Sequence, residues 1–211
     1  MNTSESGFSS DFFDSVYRSR PPWDIGKAQQ AMLALLDEFP PTGPVLDAGC
    51  GTGELALAIA RRGLAVLGVD LAEAAIAKAR VKADAEPPQV SRLVEFQVSD
   101  ALHPAQFPGK YGAVVDTGFY HLFGQIEREG FVQELASVLA ERGKYYLLGF
   151  AIEAQYPNAP RQVREAELRE RFTLELGWRI MALRSEYFLV NIAHQKIPAV
   201  GLCVERIKPA G

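Results

Sequence analysis

From Gly43 onward, short runs of β-branched and aliphatic residues alternate with longer stretches whose apolar positions recur at helical spacing. Such alternation predicts a mostly parallel sheet with helices on both faces. Strands are expected at 44–48, 64–70, 93–100, 111–116 and 144–150, and helices at 54–62, 73–85 and 125–141. Gly63 and Gly143 stand where a chain leaving a helix needs a left-handed residue, and Pro87-Pro88 blocks continuation of the second helix. In the third helix Ile126, Phe131, Leu135, Val138 and Leu139 form the inward stripe.

Beyond Phe150 the pattern changes to a Pro-rich loop through Pro157 and Pro160, a charged helix at 164–172, and two strands within WRIMALRSEYFLV and IPAVGLCVERI. That makes seven strands. Ahead of the sheet, 8–18 and 27–39 read as helices, the second with Met32, Leu35, Leu36 and Phe39 on one stripe. The whole chain, 1–211, is expected to be one domain: a helical segment at 1–42 placed to lid a pocket, a ligand-binding core at 43–150, and a substrate-side part with the terminal strand pair at 151–211.

A length of 211 residues suits one core, and 48% hydrophobic with 23% charged residues is the balance of an ordinary globular protein. The formal net charge of -4 argues against a broad basic footprint for nucleic acid or anionic lipid, and so points to a small-molecule partner. The cysteines, Cys50 and Cys203, make neither a disulfide framework nor a metal-ligand spacing, and no metal site is expected. With no apolar run long enough for a signal or a membrane span, the expectation is a cytoplasmic protein, monomeric or weakly dimeric.

In an open parallel sheet the ligand crevice lies beyond the carboxyl ends of the strands. There the first strand runs into Asp47-Ala48-Gly49-Cys50-Gly51-Thr52-Gly53. Glycines allow a tight turn and close approach to the backbone, which dinucleotide enzymes also use. Asp47 separates the two cases, since a carboxylate there would face the pyrophosphate of NAD, whereas the sulfonium and ammonium of S-adenosylmethionine (SAM) are cations. Asp70, closing the second strand, is placed for ribose hydroxyls or for a helix N-terminus. Asp100 and Asp116 close the third and fourth strands, and all four carboxylates are expected on one rim. Cys50 is a small residue of the loop.

VLDAGCGTG at 45–53, GVD ending at Asp70, SDAL from Ser99 and VVDTGFYHLF from Val114 resemble the successive motifs of class I SAM-dependent methyltransferases. The resemblance implies a Rossmann-like α/β fold with a mostly parallel seven-stranded sheet and one antiparallel terminal strand. PPWDIG at 21–26 looks more narrowly like the thiopurine and thiol/halide methyltransferase branch, which implies that Trp23 lies over the cofactor. By motif position the cofactor residues are Trp23, Asp47, Gly49, Cys50, Gly51, Gly53, Asp70, Leu71, Asp100, Ala101 and Asp116. The acceptor is expected to meet Tyr17, Trp23, Phe119, Tyr120 and His121.

The implied reaction is in-line methyl transfer to a small nucleophile, a thiol, sulfide or halide by preference, with a small-molecule O- or N-methyltransferase as the alternative. An anion meeting a cation needs alignment and an apolar pocket more than proton chemistry, and His121 is the candidate base should a proton have to leave. His103 and His194 are read as surface or loop residues. An NAD-dependent oxidoreductase, which shares the glycine loop and Asp70, and a non-catalytic SAM-binding protein are the readings from other classes.

Overall fold

The computed structural model describes residues 9–153, 159–193 and 195–207. Helices α1 (Ser10–Tyr17) and α2 (Gln30–Glu38) precede β1 (Val45–Ala48), α3 (Glu54–Ala60), β2 (Val66–Asp70) and α4 (Glu73–Asp84). A single turn, α5 (Pro88–Ser91), leads to β3 (Val94–Val98), β4 (Tyr111–Thr117), α6 (Gln125–Val138) and β5 (Leu139–Phe150). The chain ends with α7 (Glu165–Arg171), β6 (Trp178–Leu189) and β7 (Lys196–Arg206); 3-10 turns occupy Pro104–Gln106 and Tyr120–Leu122.

The strands form one sheet in the order β3-β2-β1-β4-β5-β7-β6. β7 runs antiparallel to both its neighbours, while the other paired strands are parallel. This is the expected seven-stranded Rossmann-like sheet with one antiparallel strand. Alternate residues of the central strands feed two cores. Leu46, Val114, Tyr145 and Leu147 pack on one face, and Val45, Ala113, Val115, Tyr146 and Leu148 on the other. Because both faces are covered, β1 and β4 are apolar almost throughout, and the acidic residues at their ends stand out against that background.

Three features differ from the pattern-based expectation. Helix α6 stops at Val138, and Leu139 already pairs with Tyr111 as β5. Between the pairs Tyr111↔Leu139 and Ala113↔Lys144, β4 advances two residues (111 to 113) and β5 five (139 to 144). Arg142, at φ 64, and Gly143 take up the excess, so Gly143 serves a bulge and not a helix end. Ile126 is 71% exposed, and Arg128, 1% exposed, takes the inward place in that first part of α6. The α5 turn was hidden by the Pro-Pro pair, because Pro88 at its first position starts a helix as readily as it ends one.

Candidate active site

Strand order reverses between β1 and β4, and a cavity of about 430 Å³ opens there beyond the carboxyl ends of the parallel strands. Of the predicted residues, Asp47, Gly49, Cys50, Gly51, Asp70, Leu71, Asp100, Ala101, Tyr17, Trp23, Phe119 and His121 line it. Gly53, Asp116 and Tyr120 do not. At Gly53 a Cβ would stand 2.6 Å from the Phe96 ring, so this glycine admits packing of β3 beneath the loop. Asp116 is fully buried, and its carboxylate accepts from the Phe119 and Tyr120 N–H groups at 2.8 and 2.9 Å and from the Tyr145 hydroxyl at 2.8 Å. The expected rim of four carboxylates is therefore three. Tyr120 points away, donating to Glu167 at 2.9 Å with the Arg128 guanidinium over its ring.

Asp47 is 2% exposed, and its Oδ2 has no hydrogen-bond partner. Burial first, and then the Asp116 and Asp70 carboxylates, push its pKa up to about 8, with the Ala56 N–H pulling the other way. An orphaned carboxyl on a cavity wall is a place for a cation or donor, and the methionyl ammonium of SAM fits that requirement; a pyrophosphate does not. Asp70 holds the Gly51 N–H and the Ala72 N–H, each at 2.9 Å, so it shapes the glycine loop as well as facing the cavity. Burial raises its pKa, opposed by those N–H groups. Asp100, half-buried, accepts from the Leu102 N–H at 2.9 Å. These residues together would hold the charged and polar ends of SAM.

The space a side chain would occupy at Gly49 and Gly51 is taken by aromatic side chains. A Cβ on Gly49 would lie 2.7 Å from Phe119, and one on Gly51 2.8 Å from the Tyr17 hydroxyl, with both glycines at positive φ. Glycine at these positions thus lets floor and lid close onto the loop. Trp23 donates from its ring nitrogen to the Tyr17 hydroxyl at 3.0 Å, the rings meeting edge to face. Burial raises the Tyr17 pKa, so the phenol stays protonated. Asp24 accepts from Thr52 at 3.1 Å, and Lys82 binds the same threonine and Glu54.

The far wall comes from Thr117, within the VVDTGFYHLF segment, and from parts of the chain with no motif: Phe150, Pro160 and, from the β6–β7 hairpin, Phe188, Val190, Ile192, Gln195 and Ile197. Asn191 ties this hairpin to the lid, donating to the carbonyls of Pro21, Pro22 and Asp24, while Gln29 pairs both ways with Leu189. No single-sequence signal marks these residues, because their contact with the site arises only when the terminal hairpin folds beside β5. Among the described residues of this wall there is no carboxylate, lysine or arginine. His121 is its titratable group. The Phe150 N–H donates to His121 Nδ1 at 3.2 Å, and burial, reinforced by the Arg128 charge, lowers the imidazole pKa to about 3. His103 is exposed against Glu134, and His194 lies outside the described residues. The Cys50 thiol is pushed well up by burial and by Asp47, which keeps it protonated and unreactive.

No group of three or more acidic, histidine or cysteine side chains among the described residues is placed to hold a metal ion. No described helix is long and apolar enough to cross a membrane.

Residues 45–143 match the family described as a methyltransferase domain. The chain is similar to the 2-heptyl-1-hydroxyquinolin-4(1H)-one methyltransferase of Mycobacteroides abscessus, 36% identical over 170 residues, covering 76% of this chain and 74% of that one. A solved structure described by the conversion of a disulfide bond into a thioacetal group during echinomycin biosynthesis superposes with a TM-score of 0.79 at 30% identity, covering 96% of this chain and 94% of that one. The magnesium protoporphyrin IX methyltransferase of Synechocystis PCC 6803 with bound SAM superposes with a TM-score of 0.62 at 26% identity, covering 83% and 76%.

Proposed function

The chain belongs to the class I SAM-dependent methyltransferases and is an enzyme of that family acting on a small molecule; from that premise we propose that its methyl acceptor is an apolar compound that presents its nucleophile as an anion, a thiolate above all. The observation that carries this reading is the far wall of the cavity. Phenylalanines 119, 150 and 188 with Val190 and Ile197 offer apolar contact, and among the described residues of this wall no carboxylate stands ready to remove a proton. The acceptor must then lose its proton before it enters, which thiols and sulfide do near neutrality and halides need not do at all.

SAM, when bound, supplies a methyl group on a positively charged sulfur. Asp47, Asp70 and Asp100 are the residues that would hold its ammonium, ribose and adenine, and Trp23 with Tyr17 would cover it. Cavity residues would hold the acceptor in line with that methyl group, whose transfer to the acceptor's lone pair would leave the former bonding pair on the sulfur. Charge disappears in this step, and a pocket that keeps water out favours it. The thiol/halide resemblance of PPWDIG and the sulfur chemistry of the echinomycin relative support sulfur as the nucleophile.

A second reading, O-methylation of a hydroxylated heteroaromatic ring, is favoured by the likeness to the hydroxyquinolone methyltransferase; such acidic hydroxyls also arrive as anions. Incubation with SAM and a panel of sulfide, iodide, aryl thiols and hydroxyquinolones is expected to release S-adenosylhomocysteine with the thiols. Turnover of the hydroxyl compounds alone would establish the second reading, and turnover of none despite SAM binding would overturn both.

A further inference from the structure

Two side chains on the apolar far wall each carry a polar atom with no partner among the described residues. Thr117 ends β4, and its Oγ1 is buried with no hydrogen-bond partner while the residue lines the cavity. His121 follows one turn later, and the intervening chain folds tightly, since a Cβ on Gly118 would lie 3.4 Å from His121 Cε1. Nδ1 of that imidazole receives the Phe150 N–H. An amide N–H can only donate, so Nδ1 must carry a lone pair, and a neutral ring then bears its proton on Nε2. Arg128, whose guanidinium bonds the Tyr120 carbonyl at 3.2 Å, opposes any positive charge on the ring. Among the described residues nothing accepts from His121 Nε2.

We infer that Thr117 Oγ1–H and His121 Nε2–H form a pair of neutral hydrogen-bond donors that positions the acceptor, so that the enzyme prefers nucleophiles flanked by a lone-pair atom, and that His121 is a donor and not the base. The inference rests on the acceptor reading proposed above. Thr117 and His121 stand where an anion leaves water for an apolar chamber, and donors there replace lost hydration without adding charge. A second lone-pair atom beside the nucleophile, a ring nitrogen or a carbonyl oxygen, lets both donors be used at once and fixes the rotation of the acceptor about its long axis. A simple aryl thiolate offers both donors the one sulfur atom, so they must converge on a single point and are met less well, which lowers its affinity for the same pocket.

The test compares 2-mercaptobenzothiazole with benzenethiol, and 8-hydroxyquinoline with 1-naphthol, in the wild type, Thr117→Val and Thr117→Ser. The ratio of kcat/KM within each pair cancels the acidity of the compounds when it is compared between variants. Thr117→Val is expected to lower the ratio about tenfold, the scale of one buried hydrogen bond, and Thr117→Ser to restore it. A ratio that moves less than twofold in Thr117→Val overturns the inference. Nitrogen-15 spectra of the histidines supply a readout free of turnover: His121 is expected to keep its proton on Nε2 from pH 5 to pH 8. A proton on Nδ1, or titration near the ordinary value of about 6.5, overturns it as well. Should no thiol or hydroxyl compound be methylated, the acceptor reading falls by itself. The donor pair is then decided by calorimetry of the same four compounds on the S-adenosylhomocysteine complex, where Thr117→Val must weaken the flanked members about tenfold if the pair exists.

Discussion

The Tyr145 hydroxyl donates to Asp116 Oδ2 across 2.8 Å inside the sheet, between neighbouring strands β5 and β4. With the Phe119 and Tyr120 N–H groups on the same carboxylate, the bond fixes the turn that carries Phe119 and His121 to the cavity. Tyr145→Phe is expected to lower stability by about 1–2 kcal/mol, and Asp116→Ala by more, because two buried N–H groups and a hydroxyl lose their acceptor. Urea unfolding measures the loss. A destabilised Tyr145→Phe that still binds SAM with unchanged affinity assigns this pair to structure.

Asp47 and Asp116 have pKa values raised to about 8 and about 7, in both cases by burial first. For a carboxyl whose folded pKa exceeds its unfolded value, the folded state binds the extra proton. Its stabilising contribution is therefore whole below about pH 4 and is lost as pH rises through the folded pKa. The ligand-free protein should lose stability between about pH 4 and pH 8, and Asp47→Asn should flatten that slope. Denaturation midpoints across this range test it, an unchanged slope in Asp47→Asn being the contrary result.

The same carboxyl predicts proton release on cofactor binding. A cationic partner favours the ionised form of Asp47, so titration with SAM near pH 7 should expel a proton, seen as a binding enthalpy that changes with the ionisation heat of the buffer. Asp47→Asn should bind at least tenfold more weakly and lose the buffer dependence. Equal affinity in the variant would remove Asp47 from the cofactor site.

Gly51 sits at φ 53 with the Tyr17 hydroxyl 2.8 Å from where a Cβ would be. Gly51→Ala brings backbone strain of about 1–2 kcal/mol and displaces Tyr17 with Trp23. The expected result is weaker SAM binding and a changed Trp fluorescence, with far-ultraviolet circular dichroism unaltered. Tyr17→Phe, which removes the acceptor for the Trp23 ring nitrogen, should weaken binding in the same direction by less.

Arg128 is buried against Glu167 at 2.8 Å, the Tyr120 ring, and the Tyr120, Arg161 and Gln162 carbonyls. Arg128→Met leaves Glu167 with Arg171 at 3.1 Å and the Tyr120 hydroxyl, and the Tyr120 carbonyl with the Phe123 N–H, yet takes their guanidinium donor from the Arg161 and Gln162 carbonyls. A loss of about 3–5 kcal/mol is expected, measured as an unfolding free energy; a loss under about 1 kcal/mol would mean that the network is slack.

The sheet and the glycine loop were legible because local chemistry sets both: strand runs bounded by turn residues, and an acidic residue at or near the end of each of the first four strands. Asp116 shows the limit of that logic. Its position at a strand end was plain, but whether it faced the crevice depended on a tyrosine 29 residues away in β5. Likewise the hidden bulge at Arg142 and Gly143 arises from strand pairing, which a helical periodicity running to Glu141 overrides on paper. Thr117 lies within a motif segment that does not single it out, Asn191 carries no motif, and only the tertiary arrangement gives each its neighbours. His121 was visible as a residue of the site, while the direction of its proton depends on one main-chain amide.

The β6–β7 hairpin reaches the lid through Asn191 and Leu189, at separations of 160 to 170 residues from their partners Gln29 and Pro21. Contacts that span so much chain are made late, after the loop they close has become ordered by other means. Tyr17 and Asp24 meet the glycine loop through shorter contacts, Asp24 with Thr52 at 3.1 Å, so the roof can settle on the loop before the hairpin fastens it from the other side.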